Sequence, residues 1–125
     1  MHRAWRFLIM FLGGWLVMSP AQAWSTQDSM WQGAYLTAHV ADWGQTRDIS
    51  VHCNSGGSYS ETNLLLGRCP SLAEVNSYFL GTAILHTGAA YLIPHKYRRA
   101  FQLSTLGMQL NFVNNNKQIG LKFNF

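Results

Sequence analysis

Side chains that could do chemistry lie on the first two predicted helices and on the loop between them. Imidazole, carboxylate, hydroxyl and amide groups make up this candidate polar cluster: His39, Asp42, Thr46, Glu61, Asn63 and His86. Two imidazoles with one or two carboxylates would suit a divalent metal ion. They would equally make an acid–base pair, since histidine titrates near neutrality and a carboxylate can orient its ring. One candidate function is therefore metal binding or hydrolysis.

The spacing of these residues favours a structural role over catalysis. The sequence has no H-x-x-x-H or H-E-x-x-H pair, which would place two metal ligands on one helical face, and no G-x-S-x-G nucleophile motif. Because buried polar groups need partners, we expect His86 and Asp42 to hydrogen-bond to each other across a tightly packed interior. We assign no metal ligands and no cofactor, and an enzyme is the less favoured interpretation.

The N-terminal segment has the three parts of an export signal. A positive start with Arg3 and Arg6 precedes an uncharged run over residues 7–18, and an A-x-A cleavage pattern ends at Ala23. An apolar run this short hardly spans a bilayer. We therefore predict a signal peptide over residues 1–23, with an uncleaved membrane anchor as the alternative, and a single helical domain over residues 24–125.

The composition is unusually poor in charge. Of the 125 residues, 48% are hydrophobic and 11% are charged, against about 25% charged in an ordinary soluble domain. This excludes a disordered tail. Residues 75–93 and 100–116 contain no Asp, Glu, Lys or Arg, which favours a bundle that contacts a membrane.

One short basic cluster follows the second predicted helix. It contains three cations and one aromatic ring, in the order Lys96, Tyr97, Arg98 and Arg99. A single patch of this size does not predict binding to nucleic acid. The basic–aromatic arrangement predicts contact with membrane headgroups or another anionic surface, and a solvated helix end is the alternative.

The sequence predicts an all-α fold, a compact three-helix bundle with helices at about 27–49, 71–93 and 95–114. Ser71 and Glu74 form a capping box for the second helix, and Pro94 ends it. The third helix carries two stripes, one polar (Arg98, Gln102, Thr105, Gln109) and one apolar (Leu103, Leu106, Leu110, Val113). The second helix contains nineteen uncharged residues, so it either crosses a bilayer or is a buried core helix.

The sequence also makes predictions for the loop between the first two helices and for the C-terminal tail. Cys53 and Cys69 flank a Gly/Ser-rich stretch in the predicted loop 50–70. A disulfide is favoured in an oxidising compartment, and a metal site with His52 is the weaker alternative. The tail 115–125 alternates apolar and polar residues, which predicts a short strand, or else an amphipathic tail that packs on the bundle or lies at a membrane surface.

A family resemblance rests on Asp42 and Thr46, in Asp42-Trp43-Gly44-Gln45-Thr46, and on Glu61-Thr62-Asn63. This D-x-x-x-T … E-x-N arrangement resembles that of small three-helix bacterial membrane proteins of unknown function. That family often has proline after the asparagine, where this chain has Leu64. The resemblance implies the three-helix topology and a polar intramembrane cluster, and it implies no reaction.

Together these features predict an exported protein on the periplasmic side of a bacterial membrane, with a structural or accessory role in the cell envelope. Its expected partner is membrane lipid or another envelope protein. A third possibility is a periplasmic binding module, whose marks would be solubility and an apolar pocket between the second and third helices.

Overall fold

The computed structural model describes residues 23–125, which form an all-α bundle of three helices: α1 (Thr26–Asn54), α2 (Leu72–Leu92) and α3 (His95–Gln118). No strand occurs in this part of the chain. Except for Ala23, the predicted signal peptide lies outside the described residues. The all-α three-helix prediction is confirmed.

Local sequence signals account for the helix ends. The predicted capping box of Ser71 and Glu74 is present at the start of α2. A second capping box, formed by Ser25 and Asp28, begins α1. Each box satisfies backbone N–H groups that have no partner within the helix. Pro94 precedes α3 with a φ of −52°, which suits entry into a helix.

The first helix is central and runs parallel to α3 and antiparallel to α2. Its first turn contacts the start of α3 through Asp28 and Arg98, and its last turns contact the start of α2 through Ser50 and Pro70. Contacts between α2 and α3 are sparse compared with the contacts that each makes with α1. The two outer helices therefore leave a gap between them, with α1 as its floor.

The interior of the bundle is largely polar. The buried polar and charged side chains are Asp28, Gln32, His39, Gln45, Thr46, Asp48, Ser50, His86, Arg98, Gln102 and Gln109. On α3, the polar stripe faces α1, whereas Leu103 and Leu110 of the apolar stripe are exposed. Because buried polar groups need hydrogen-bond partners, several of these side chains connect the helices, as Gln32 does with His86 and Arg98 with Asp28.

The apolar surface of the second helix is divided between interior and exterior. Val75, Phe79 and Ala90 are buried, whereas Ile84 and Leu85 are exposed. None of the three helices within residues 23–125 has both the length and the hydropathy that a bilayer crossing requires.

The side chain of Arg98 is completely buried. Its Nη1 donates to Asp28 Oδ2 at 2.8 Å, and its Nε donates to the carbonyl oxygen of Ala90 at 2.8 Å. Its Nη2 donates to the carbonyl oxygens of Tyr91 and Ile93, both at 3.2 Å. One guanidinium thus connects the start of α1, the end of α2 and the start of α3.

The prediction that Arg98 contacts headgroups or another anionic surface is therefore wrong. Arg98 belongs to the polar stripe of α3, which faces α1, so its side chain lies inside the bundle. The other members of the predicted basic cluster, Lys96, Tyr97 and Arg99, are exposed.

The pairing with Arg98 also affects the acid stability of the fold. Burial acts to raise the pKa of Asp28, but hydrogen bonds from Ser25 and Arg98 outweigh it and hold that pKa below its ordinary value. A carboxyl group with a lowered folded-state pKa stabilises the fold above the ordinary aspartate pKa. That contribution is lost as the pH falls through the folded-state value.

The C-terminal tail is shorter than predicted and is not a strand. The third helix continues to Gln118, and residues 119–125 pack on α1 without a partner strand. Leu121 is buried, Asn124 N donates to the carbonyl oxygen of Gly44 at 3.1 Å, and Arg47 Nε donates to that of Asn124 at 2.8 Å. The alternative prediction, a tail that packs on the bundle, is confirmed. A Cβ at Gly44 would lie 2.6 Å from the Phe125 ring, so any other residue at this position would require that ring to move.

The predicted disulfide is present, with 5.7 Å between the Cα atoms of Cys53 and Cys69. The first helix runs five residues beyond the predicted end, to Asn54, so Cys53 lies in its last turn and the loop begins at Ser55. Ser50 Oγ and Asn54 Nδ2 also donate to the carbonyl oxygen of Pro70, at 2.7 and 3.0 Å. These bonds close the loop where it rejoins α2.

Replacing Arg98 with methionine should destabilise the protein strongly. The change would leave the Asp28 carboxylate buried without its cation and remove a donor from the Ala90 carbonyl. Loss of one partner of a buried pair costs about 3–5 kcal/mol. Urea unfolding would measure this, with the exposed neighbour Arg99→Met as control, for which we expect less than about 0.5 kcal/mol. Equal effects of the two changes would contradict the assigned role of Arg98.

Removing the disulfide should destabilise the fold moderately, because it constrains the unfolded chain. We expect Cys53→Ser/Cys69→Ser to lower the free energy of unfolding by about 3 kcal/mol. Thermal unfolding with and without reductant would test this. Reductant should lower the Tm of the wild type towards that of the double variant and leave the variant unchanged. A wild-type Tm that does not respond to full reduction would contradict the prediction.

Candidate functional site

A cavity of about 680 Å³ lies between α2 and α3, over α1, and the loop closes one of its ends. Residues from the three helices and the loop line it: Tyr35, His39, Asp42, Thr46, Glu61, Thr62, Asn63, Leu66, Tyr78, Phe79, Thr82, Thr105, Met108, Gln109, Phe112, Asn115 and Asn116. All residues of the predicted polar cluster except His86 are in this lining. The cavity is therefore the candidate functional site.

The carboxylate of Asp42 is held by two amide groups of α3. Gln109 Nε2 donates to its Oδ2 at 2.6 Å, and Asn116 Nδ2 donates to its Oδ1 at 2.8 Å. Burial raises the pKa of Asp42 above its ordinary value, and the negative charge of Glu61 adds to this rise, although the bond from Gln109 opposes it. The amides fix the position of a partly desolvated carboxylate at the cavity wall.

The loop places a second carboxylate at the cavity. Glu61 Oε1 accepts from the backbone N–H groups of Thr62 and Asn63, both at 2.8 Å. The backbone N–H of Glu61 donates to the carbonyl oxygen of Arg68 at 2.8 Å, which connects the two sides of the loop. Glu61 is therefore positioned by local turn geometry, and the loop supplies one end of the cavity.

His39 lies on α1 and contacts both of the other helices. Its Nε2 lies 3.0 Å from the carbonyl oxygen of Phe79 and 3.1 Å from Thr82 Oγ1, and its Nδ1 lies 3.3 Å from Gln109 Oε1. Gln109 therefore lies between His39 and Asp42, with its Oε1 facing the imidazole and its Nε2 donating to the carboxylate.

His86 lies outside this cavity, packed between aromatic rings. Its ring centroid is 3.5 Å from that of Tyr35 and 4.7 Å from that of Phe101. Its Nδ1 accepts from Gln32 Nε2 at 3.1 Å, and its Nε2 lies 2.8 Å from Thr105 Oγ1. A neutral imidazole satisfies both contacts by accepting at Nδ1 and donating at Nε2.

The predicted hydrogen bond between His86 and Asp42 is therefore absent. His86 lies level with Gln32 on α1, and Asp42 is ten residues further along that helix. At a rise of about 1.5 Å per residue, this separation is about 15 Å along the axis. The two residues do lie on adjacent helices, as predicted, but they are too far apart along the helix axis to form a hydrogen bond.

The polar cluster does not form a metal centre in the described part of the chain. Within residues 23–125, no group of three or more His, Cys, Asp and Glu side chains is placed to hold a metal ion. Within the cluster, His39 already contacts Phe79 and Gln109, and Asp42 accepts from Gln109 and Asn116.

Sequence reasoning missed the amide and aromatic part of the site. Gln109 and Asn116 hold Asp42, and the rings of Tyr35, Tyr78 and Phe79 form much of the wall. Gln109 was visible as a member of the polar stripe on α3. Nothing in the local sequence identified Asn116 as a partner of a residue 74 positions earlier.

Comparison with known proteins finds no protein-family model, curated protein or solved structure that matches this chain. The four residues of the D-x-x-x-T … E-x-N arrangement, Asp42, Thr46, Glu61 and Asn63, do line one cavity. The family resemblance itself stays a prediction.

Acid should destabilise the fold through His86. Burial, with a smaller contribution from His39, lowers the pKa of His86 to about 4 from 6.5. Between these values the unfolded chain binds a proton that the folded chain does not. The free energy of unfolding should therefore fall as the pH drops through this window, by about 3 kcal/mol at pH 4.

Substitution by glutamine provides the test. Urea unfolding at several pH values between 7 and 4 should show a flatter pH dependence for His86→Gln than for the wild type. The exposed His95→Gln serves as control and should keep the wild-type slope. An unchanged slope in His86→Gln would contradict the assignment of this titration to His86.

Proposed function

We propose that this protein is an exported component of the bacterial cell envelope that associates with a membrane surface and has a structural or accessory role. The observation that carries the proposal is the reversed polarity of α2 and α3. Their sides that face away from α1 expose large apolar side chains, which include Leu80, Ile84, Leu85, Leu92, Leu103 and Leu110.

The proposal depends on both the interior and the outer surface of the bundle. Polar side chains of α2 and α3 that could face water lie inside the bundle instead, as the burial of His86, Gln102 and Gln109 shows. The outer surface is correspondingly poor in charge, since residues 75–93 and 100–116 contain no Asp, Glu, Lys or Arg. Soluble monomers rarely expose contiguous apolar patches of more than a few hundred Å². A surface of this kind is stabilised when lipid replaces water around it.

The turn between α2 and α3 adds a basic and aromatic edge to the apolar surface. Lys96 and Arg99 are exposed there beside Tyr91 and Tyr97, and Lys96 Nζ lies 4.8 Å from the Tyr97 ring centroid. Aromatic rings and cations of this kind favour the headgroup level of a bilayer, and the cations favour anionic lipid. The occupant that we propose for this face is therefore an anionic membrane surface.

Two features support the export part of the proposal. The disulfide between Cys53 and Cys69 is of a kind that persists in oxidising compartments such as the periplasm. The predicted signal peptide over residues 1–23 has the same implication.

Flotation with vesicles that contain anionic phospholipid would test membrane association. We expect the purified protein to float with the vesicles and Ile84→Glu/Leu85→Glu to bind at least about tenfold more weakly. Each leucine-sized side chain contributes about 1.5–3 kcal/mol when it leaves water. These two positions are 65% and 72% exposed, so the change should leave the fold intact.

The loop offers a matched control for charge and hydrophobicity. Leu64→Glu/Leu65→Glu changes two side chains that are 97% and 84% exposed and belong to the loop before α2. This control should bind vesicles like the wild type. Wild-type protein that stays in the aqueous fraction, or equal losses in the two variants, would contradict the proposal.

A further inference from the structure

We propose that the cavity between α2 and α3 binds a primary ammonium group on an apolar chain, with Asp42 and Glu61 as its anionic receptors. The inference rests on the lining of the cavity and does not depend on membrane association.

The charge of the lining selects a cation. Asp42 and Glu61 both line the cavity, and no Lys or Arg is in the lining. The one basic side chain there, His39, contacts the Phe79 carbonyl and Gln109 through its ring nitrogens. Two carboxylates in a partly desolvated site attract a positive ligand more strongly than they would in water.

The free acceptor positions fit an ammonium group. Gln109 and Asn116 each donate one hydrogen bond to Asp42, so each oxygen of that carboxylate keeps further accepting capacity. Both backbone bonds to Glu61 end on Oε1, and within residues 23–125 no hydrogen bond reaches its Oε2. A primary ammonium has three donors and no acceptor, which complements such a set.

The size and walls of the cavity select an organic cation. About 680 Å³ is the volume of a small-molecule site and far exceeds the space that a bare ion needs. No group of three metal-ligating side chains is available in the described part of the chain. The partly exposed rings of Tyr78 and Phe112 also line the cavity and can contact carbon atoms and the positive charge.

The route of the apolar chain follows from the two ends of the cavity. Asp42 and Glu61 lie towards the loop end. Met108 and Phe112 line the cavity and are also exposed, so the cavity is open to solvent beside them. A chain that begins at the carboxylates can therefore leave the cavity past these two apolar side chains. A free alkylamine presents both parts of this chemistry, and the headgroup of an aminophospholipid presents the primary ammonium, two carbons away from its phosphate.

Titration with hexylammonium chloride would test the proposal, with hexan-1-ol as a neutral probe of the same chain length. The side-chain amide NMR signals of Gln109 and Asn116 report directly from the site. We expect saturable shifts with hexylammonium, and none or much weaker shifts with hexan-1-ol. Equal responses to the two probes, or no saturable response to hexylammonium, would overturn the proposal.

Two variants locate the charge that is recognised. We expect Glu61→Gln to weaken hexylammonium binding about tenfold, since a hydrogen bond to a charged group contributes about 1.5–3 kcal/mol. Asp42→Asn should weaken it at least as much. Glu74→Gln, which removes a carboxylate outside the cavity and keeps a capping side chain, should bind like the wild type. Undiminished binding in both cavity variants would overturn the proposal.

Bicelles distinguish the two sources of the amine. If an aminophospholipid is the ligand, phosphatidylethanolamine in phosphatidylcholine bicelles should shift the same amide signals, and pure phosphatidylcholine should not. Shifts with hexylammonium alone would assign the site to a free amine. Because the hexylammonium arm contains no lipid, a failure of membrane association leaves its result intact.

Discussion

The buried guanidinium of Arg98 is the constraint on which the rest of the structure depends. A charge that is fully removed from water must be paired and hydrogen-bonded. Arg98 meets this requirement with the Asp28 carboxylate and with carbonyl oxygens at the end of α2. The carbonyls of Ala90 and Tyr91 are among the last four of α2, which have no partner within their own helix. The cation therefore completes the end of α2 while it connects α1 to α3.

This contact sets the rotation of α3 and with it the position of the site. Once Arg98 faces the interior, the other residues of its stripe face α1 as well. Gln102 then donates to the carbonyl oxygen of Asp28 at 3.0 Å, and Gln109 reaches Asp42 two turns further along. The same rotation turns Leu103 and Leu110 outwards. The polar interior of the bundle, the fixed position of the Asp42 carboxylate and the apolar outer surface of α3 are thus consequences of one orientation of α3.

Much of the fold could be predicted from local sequence, because its causes are local. The capping box at Ser71 and Glu74, the proline before α3 and the spacing of Cys53 and Cys69 all act within a few residues or within one loop. The tail shows where a local pattern is insufficient. Its alternation favours a strand, but no neighbouring strand is present within residues 23–125, and the tail instead packs on the helical surface around Gly44.

The site was less predictable because its partners are far apart in sequence. The cluster of His39, Asp42, Glu61 and Asn63 was identified from residue types, and these residues do meet at one cavity. The predicted pairing of His86 with Asp42 was wrong because the position of each residue along the bundle axis depends on how α2 packs against α1, which the local sequence does not determine. Both stripes of α3 were visible, yet which of them faces α1 is decided by Asp28, 70 residues before Arg98.

Paramagnetic NMR on the lipid-bound protein would test the reversed polarity most directly. A spin label on the lipid acyl chain should broaden the methyl signals of outward side chains such as Ile84, Leu85 and Leu110, and leave those of the buried Ile49 and Val75 sharp. Outer-face methyl signals that stay sharp with the lipid label and broaden with a water-soluble one would contradict a bundle that keeps its polar groups inside and presents its apolar face to lipid.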